Sequence, residues 1–198
     1  MLVHDDVLGR ELALSLLADV SSRLEQLRPA GIGPGAARQR DEQLRGDEIV
    51  WLDPPGGDHP PGPIWHLFSE IQQQLNEKAW LGIESFEVQL ARYSRKGARY
   101  VRHRDAFDRP ENRRVATAVY YLNPEWQPRH GGCLRVFEPD GPRDLEPLFD
   151  RLVIFLSDRV EHEVLPVESP RWAITAWFLR RGILPLDPDP HLTPPRAA

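Results

Sequence analysis

A single cysteine, Cys133, stands in a chain of 198 residues. One thiol excludes an internal disulfide and a cysteine-rich zinc site, and it fits a reducing cytoplasm. No apolar run approaches the roughly 20 residues that span a bilayer. The opening Met1-Leu2-Val3-His4-Asp5-Asp6 lacks the basic-then-apolar pattern of a secretory signal. Positive charge is not in excess either: the net charge is −5 and the pI near 5.8. That balance argues against a general affinity for nucleic acid or for an anionic membrane. No internal repeat is visible. The expectation is a cytoplasmic protein with neither nucleic acid nor membrane among its partners.

What is present suits one globular domain. Hydrophobic residues make up 40% of the chain, enough for a sizeable core, and the 20 prolines fall between elements and in the tail. We expect the domain over 1–179 and a proline-rich, loosely docked tail over 180–198. Asp5 and Asp6 can cap a helix starting near Val7, with Leu8, Leu12, Leu16, Val20, Leu24 and Leu27 on one face and Pro29 ending it. Residues 31–45, opening with Gly31-Ile32-Gly33-Pro34-Gly35, read as a loop, and residues 45–52 return to strand character. A connector over 53–63 leads to a second helix with Pro63 in its first turn and Ile64, Phe68, Ile71 and Leu75 on its apolar face. It closes around 80–83.

Beyond that helix the hydrophobic period changes to two. Phe86, Val88 and Leu90 alternate with polar neighbours, and further short strands are expected at 115–122, 134–137, 152–156, 164–167 and 172–179. Helices followed by strands place the chain in the α+β class, with a sandwich or barrel.

Within this strand-rich half stands His103-Arg104-Asp105, followed far downstream by His162. Two histidines and a carboxylate can cover one face of an octahedral metal and leave three positions open, a set suited to ferrous iron. Zinc would accept the same ligands. On spacing alone, a surface His–Asp pair is the simpler reading. Arg171, nine residues past His162, could hold the far carboxylate of a two-headed acid. It could equally be a surface cation. His4, His59, His66, His130 and His191 have no partner pattern and read as non-ligands, Tyr120 as packing, and Trp126 and Cys133 as structural.

Read in order, several segments closely resemble the prolyl hydroxylase branch of the iron and 2-oxoglutarate dioxygenases. They are residues 100–105, 115–123, Gly131-Gly132-Cys133-Leu134-Arg135-Val136-Phe137, 149–159, His162-Glu163-Val164 and 171–178, and the likeness extends over about 45–178. It is to the oxygen-sensing animal enzymes and their bacterial counterparts. The resemblance implies a double-stranded β-helix, or jelly roll, with the helices on one sheet. It also implies Fe(2+) held by His103, Asp105 and His162 as the catalytic centre, with 2-oxoglutarate and O2 as co-substrates and ascorbate as an accessory reductant. Arg171 and Tyr121 match the residues that take the 5-carboxylate, and Tyr93 the tyrosine beside the metal-proximal end. Thr175, Leu134 and Trp177 match positions lining the pocket, though each fits plain core as well. Arg114 matches an arginine meeting the target peptide.

The Arg45-Gly46-Asp47 triplet matches the end of a loop that folds over substrate; a solvated hairpin with an Arg45–Asp47 pair is the alternative. The implied reaction decarboxylates 2-oxoglutarate to succinate and hydroxylates a C–H bond, at C4 of a proline in a protein segment. Compact bacterial relatives look like modifiers of a translation elongation factor. Two departures stand out. The sequence reads as carrying no counterpart of the amino-terminal zinc-finger region of the animal enzymes, and the segment 106–113 reads as longer and bulkier, which leaves peptide specificity open. A dioxygenase acting on a free amino acid or small metabolite, and a non-catalytic jelly-roll sensor, are the other readings.

Overall fold

The computed structural model describes residues 1–31, 41, 43–54, 62–106 and 113–181. Two helices, α1 (Arg10–Ser21) and α2 (Pro63–Ala79), accompany eleven strands. These are β1 (Leu2–His4), β2 (Arg28–Pro29), β3 (Glu48–Leu52), β4 (Ile83–Tyr93), β5 (Tyr100–His103), β6 (Arg114–Tyr121), β7 (Leu134–Glu138), β8 (Gly141–Leu145), β9 (Leu152–Leu156), β10 (Glu161–Val164) and β11 (Arg171–Arg180). The strands form a seven-stranded sheet, β1-β9-β6-β11-β4-β3-β2, facing a four-stranded sheet, β5-β10-β7-β8. Every pairing is antiparallel. Two facing antiparallel sheets with helices on one side are the jelly roll that the family resemblance implies.

Strand β11 shows how the pattern builds the layers. Successive side chains point to opposite faces of a strand. Ile174, Ala176 and Phe178 pack outward with Leu16, Val20, Phe68 and Ile71 of the helices. Ala173, on the other face, packs inward with Tyr121, Leu134, Val136 and Phe155 between the sheets. Arg171, Thr175 and Trp177 share that inner face by the same alternation. A strand covered on both sides reads as a near-continuous apolar run.

Several sequence expectations shift. Helix α1 starts at Arg10, behind Gly9, and neither Asp5 nor Asp6 caps it. No side chain caps it; Asp150, from far along the chain, instead fixes the entry to the helix, accepting from the N–H groups of Leu8 (2.9 Å) and Gly9 (2.8 Å), while Asp5 pairs with Arg151. The buried face of α1 is Ala13, Leu16 and Val20, which leaves Leu12 exposed on another face; Leu24 is exposed because the helix stops at Ser21 and a short 3-10 turn follows. Helix α2 buries Ile64, Phe68 and Ile71 as expected, with Pro63 at its start, and ends in Trp80 at φ 51°. The strand expected at 164–167 lies earlier, at Glu161–Val164, and Val167 makes only an isolated bridge with Gly131. Arg180, expected in the tail, ends β11. The rest of the tail from 182, most of the 31–45 loop and residues 107–112 lie outside the described residues. Among the described residues, no helix is long and apolar enough to cross a membrane.

Candidate active site

Strands β5 and β10 pair so that His103 and His162 stand opposite one another. Each ring is turned the same way: His103 Nδ1 lies 2.7 Å from the Val101 carbonyl and His162 Nδ1 lies 3.2 Å from the Val160 carbonyl. A carbonyl only accepts, so Nδ1 carries the proton and Nε2 keeps its lone pair for a metal. Asp105 follows β5 rather than extending it, so strand alternation does not aim it beside His103. Its Oδ1 nonetheless lies 3.5 Å from His103 Nε2 and its Oδ2 lies 3.8 Å from His162 Nε2. One ligand atom from each residue falls within 4.8 Å of the others, the spread a single ion can bridge. Two imidazole nitrogens and one carboxylate fit ferrous iron on chemistry as well.

Electrostatics follow from this crowding. Burial alone would raise the Asp105 carboxyl, but His162, His103 and the Thr117 hydroxyl outweigh it and hold the group well below the usual carboxylate range. Burial pushes the His162 imidazole down, and His103 adds to this while Asp105 opposes it. Both shifts favour the ligand-competent forms, an ionised carboxylate and a neutral ring.

Arg171 lies on the inner face of the larger sheet. It is 3% exposed, and no carboxylate pairs with it among the described residues. Its Nε donates to the Gly132 carbonyl at 2.8 Å, and its guanidinium carbon sits 5.1 Å from the Tyr93 ring and 5.0 Å from the Tyr121 ring. Gly132 makes this room: at φ +74° it carries no side chain, and a Cβ there would meet Arg171 Cδ at 2.9 Å. The Tyr121 hydroxyl is buried without a hydrogen-bond partner. Burial raises the Tyr121 and Tyr93 hydroxyls, keeping both protonated as donors, with Arg171 pulling the other way. A buried cation short of an anion beside an orphaned donor fits the carboxylate of a ligand.

Leu134 is buried in the inner core and Thr175 half-buried on the inner face, on the same strand as Arg171. Trp177 is placed differently. It is six residues from Arg171, about 20 Å along an extended strand. There it packs 5.6 Å from Trp51, under the Arg114 guanidinium at 4.1 Å. The structure therefore groups Trp177 with Arg114 rather than with Arg171. Arg114 also reaches Glu87 at 3.7 Å, and its charge interacts with Asp105. Arg45 grips Asp47 through two bonds of 2.8 and 3.0 Å, bonds Gln89 at 3.1 Å, and lies 4.6 Å over the Tyr100 ring, which stacks on His103 at 3.7 Å.

Trp51, Gln89, Tyr100, Thr117 and Ser157 are site residues the sequence reading did not single out. Tyr100, Thr117 and Ser157 lay within the segments that carry the family resemblance, but nothing there marked their roles. Of the histidines set aside, His66 faces Glu70 on the surface and His130 accepts from the Gln127 N–H; His59 and His191 lie outside the described residues. Tyr120 does more than pack: its hydroxyl donates to Asp150 at 2.7 Å. Trp126 bonds the Gly131 carbonyl, and burial raises the Cys133 thiol.

Comparison with known proteins agrees with this geometry. A family model described as the 2OG-Fe(II) oxygenase superfamily matches residues 88–179. The human protein named prolyl hydroxylase EGLN3 is 37% identical over 177 residues, 80% of this chain and 71% of its own. The chain spans about half the length of the Egl nine homolog 1 proteins that it also matches. Among solved structures, a Pseudomonas putida prolyl-4-hydroxylase superposes with a TM-score of 0.78 at 38% identity, covering 91% of this chain and 92% of that one. A Trichoplax adhaerens prolyl hydroxylase, solved with a peptide of the hypoxia inducible factor oxygen degradation domain, gives a TM-score of 0.75 at 30% identity, over 90% and 82% of the two chains.

Proposed function

This chain belongs to the 2OG-Fe(II) oxygenase superfamily as a 2-oxoglutarate-dependent dioxygenase of prolyl hydroxylase type, and on that premise we propose that it hydroxylates a prolyl residue within a protein. Fe(2+), 2-oxoglutarate and O2 are the cofactor and co-substrates of this family. His103 Nε2, His162 Nε2 and an Asp105 oxygen would hold the iron. Arg171 and Tyr121 would take the 5-carboxylate of 2-oxoglutarate, with Tyr93 walling the same space. When bound, 2-oxoglutarate supplies two electrons on decarboxylation to succinate, so that one oxygen atom enters the substrate C–H bond and the other the succinate.

The chain's own contribution is placement. Tyr121, Leu134, Val136 and Phe155 keep water from the space between the sheets. Arg171 would orient the acid by its far end, turning its near end toward His103, Asp105 and His162. At the mouth, Trp51 and Trp177 offer aromatic walls to a prolyl ring. Arg114, half-buried over the Trp177 ring, would offer a donor to peptide carbonyls. Arg45 and Asp47 brace this mouth through Tyr100.

The observation that carries the reading is the shared interior: a histidine–aspartate–histidine set and a buried guanidinium without a carboxylate, facing the same space between two sheets. By resemblance, a translation elongation factor is the first protein to test, in the cytoplasm. The test incubates the iron-loaded protein with 2-oxoglutarate and host proteins, then maps proline residues that gain one oxygen by mass spectrometry. Gain on a protein proline, lost with His162→Ala, is expected. Succinate production stimulated by free proline or a small metabolite, and by no protein, would overturn it.

A further inference from the structure

Asp105 lies beyond the end of β5, so no strand ladder fixes its carboxylate. What holds it comes from the opposite sheet. Thr117, on β6, donates its hydroxyl to Asp105 Oδ2 at 2.8 Å, and Ser157, just after β9, lies 2.9 Å from the same hydroxyl. Both residues are fully buried. Their backbones are pinned as well: the Ser157 N–H bonds the Val115 carbonyl, and the Ala106 N–H bonds the Ser157 carbonyl, each at 3.1 Å.

The direction of this relay is set by proton count. An ionised carboxylate only accepts, so the single Thr117 proton goes to Asp105. Ser157 must therefore donate to Thr117, and each bond polarises the next. One lone pair of Oδ2 is thus committed to a hydroxyl, with Oδ2 3.8 Å from His162 Nε2, while Oδ1 lies 3.5 Å from His103 Nε2.

We propose that Thr117, backed by Ser157, is a positioning residue that keeps Asp105 a one-oxygen ligand. This rests on the metal centre proposed above and concerns what that centre needs. Two imidazoles and one carboxylate oxygen leave three positions of an octahedron open. A two-headed acid chelating through its keto and carboxylate oxygens takes two, and dioxygen needs the last. A second Asp105 oxygen on the metal would fill it. Tying Oδ2 to Thr117 withholds that oxygen and reserves the position.

The test reads the open position directly, using nitric oxide as a dioxygen surrogate on the anaerobic Fe(II) protein with 2-oxoglutarate. Thr117→Val keeps the shape and removes the donor. We expect its nitric oxide affinity to fall about tenfold or more, equivalent to about 1.4 kcal/mol, with iron and 2-oxoglutarate affinities near those of the parent. The visible absorption of the Co(II)-loaded protein should shift toward a higher coordination number. Thr117→Ser, which restores a hydroxyl, should recover both signals, and Ser157→Ala should fall between.

Unchanged nitric oxide affinity and spectrum in Thr117→Val overturn the proposal, as does a Thr117→Ser protein no better than Thr117→Val. If Thr117→Val does not fold, Ser157→Ala carries the test, and parent-like values there overturn it. A parent chain that takes up no metal, or a His103→Ala chain that takes it up as well as the parent, overturns the metal centre itself. Normal metal uptake with unaffected relay variants removes this inference alone.

Discussion

Before any ligand arrives, Arg171 has spent its Nε on the Gly132 carbonyl and its faces on two tyrosine rings. What remains is a planar fork held in place, and lysine cannot reproduce it. Arg171→Lys keeps a charge but loses the paired donors, so the dissociation constant for 2-oxoglutarate should rise by about one to three powers of ten, at about 1.4 kcal/mol each. Tyr121→Phe deletes one neutral donor and should cost about 1–3 kcal/mol. Iron uptake without 2-oxoglutarate should be unchanged in both. Titration of the anaerobic iron protein, following the metal-to-ligand charge-transfer band, reads these values; an Arg171→Lys protein that binds as tightly as the parent would remove Arg171 as the anchor. Gly132→Ala tests the same cradle from the other side. Its Cβ would press Arg171 Cδ at 2.9 Å from a φ of +74°, so 2-oxoglutarate binding should weaken although no ligand-contacting group has been deleted. Undiminished binding there would mean that the cradle gives way at no cost.

Among the elements, α1 is tied to the sheet by a residue far from it in sequence. Asp150 accepts from Leu8 N–H, Gly9 N–H and the Tyr120 hydroxyl, and it meets the start of the helix because β9 returns there beside β1. Removing it leaves the Leu8 and Gly9 N–H groups and a buried hydroxyl without their acceptor, and a buried donor left unsatisfied costs about 1–3 kcal/mol. Asp150→Ala should therefore lower the unfolding free energy in urea by about 2–4 kcal/mol, whereas Tyr120→Phe, which keeps the bonds to Leu8 and Gly9, should cost much less. Equal losses would deny Asp150 its role in fixing the entry to α1. This latch also marks the limit of what the sequence reveals. Long elements with a clear period, α2 and strands β4, β6 and β11, were legible because burial repeats along them. Strands β1 and β8 were not, being short, with Pro142 in one of them and no alternation to read. Within the site, the spacing of His103, Asp105, His162 and Arg171 alone left surface readings open, and it was the family resemblance that singled them out. Thr117 and Ser157 carry no local pattern; their roles exist only because β6 and β9 pair and end beside the 105–106 backbone.

At the scale of the whole molecule, the candidate site is divided between the two sheets. His103 and His162 stand on the four-stranded sheet and Asp105 adjoins it, while Arg171, Tyr121 and Tyr93 stand on the seven-stranded one. A metal alone would tie together β5, β10 and the segment after β5. An acid that chelates that metal and reaches Arg171 would join one sheet to the other. Ligand that binds only the folded state stabilises it by about 2.7 kcal/mol at a hundredfold excess over its dissociation constant. For a chain of this size each kcal/mol moves the melting temperature by about 2–4 °C. Mn(II), which replaces the iron without turnover, should therefore raise the melting temperature by roughly 5–11 °C at saturation by that measure. Adding 2-oxoglutarate should raise it again by a comparable step, whereas 2-oxoglutarate without metal should do little, since its near end then has nothing to chelate. The variants separate the two steps. His103→Ala should lose both, because the second depends on the first. Arg171→Ala should keep the Mn(II) step and lose most of the 2-oxoglutarate step, a result that unfolding of the site in general could not produce. If 2-oxoglutarate stabilised the Arg171→Ala protein as much as the parent, the acid would be anchored somewhere other than across the two sheets.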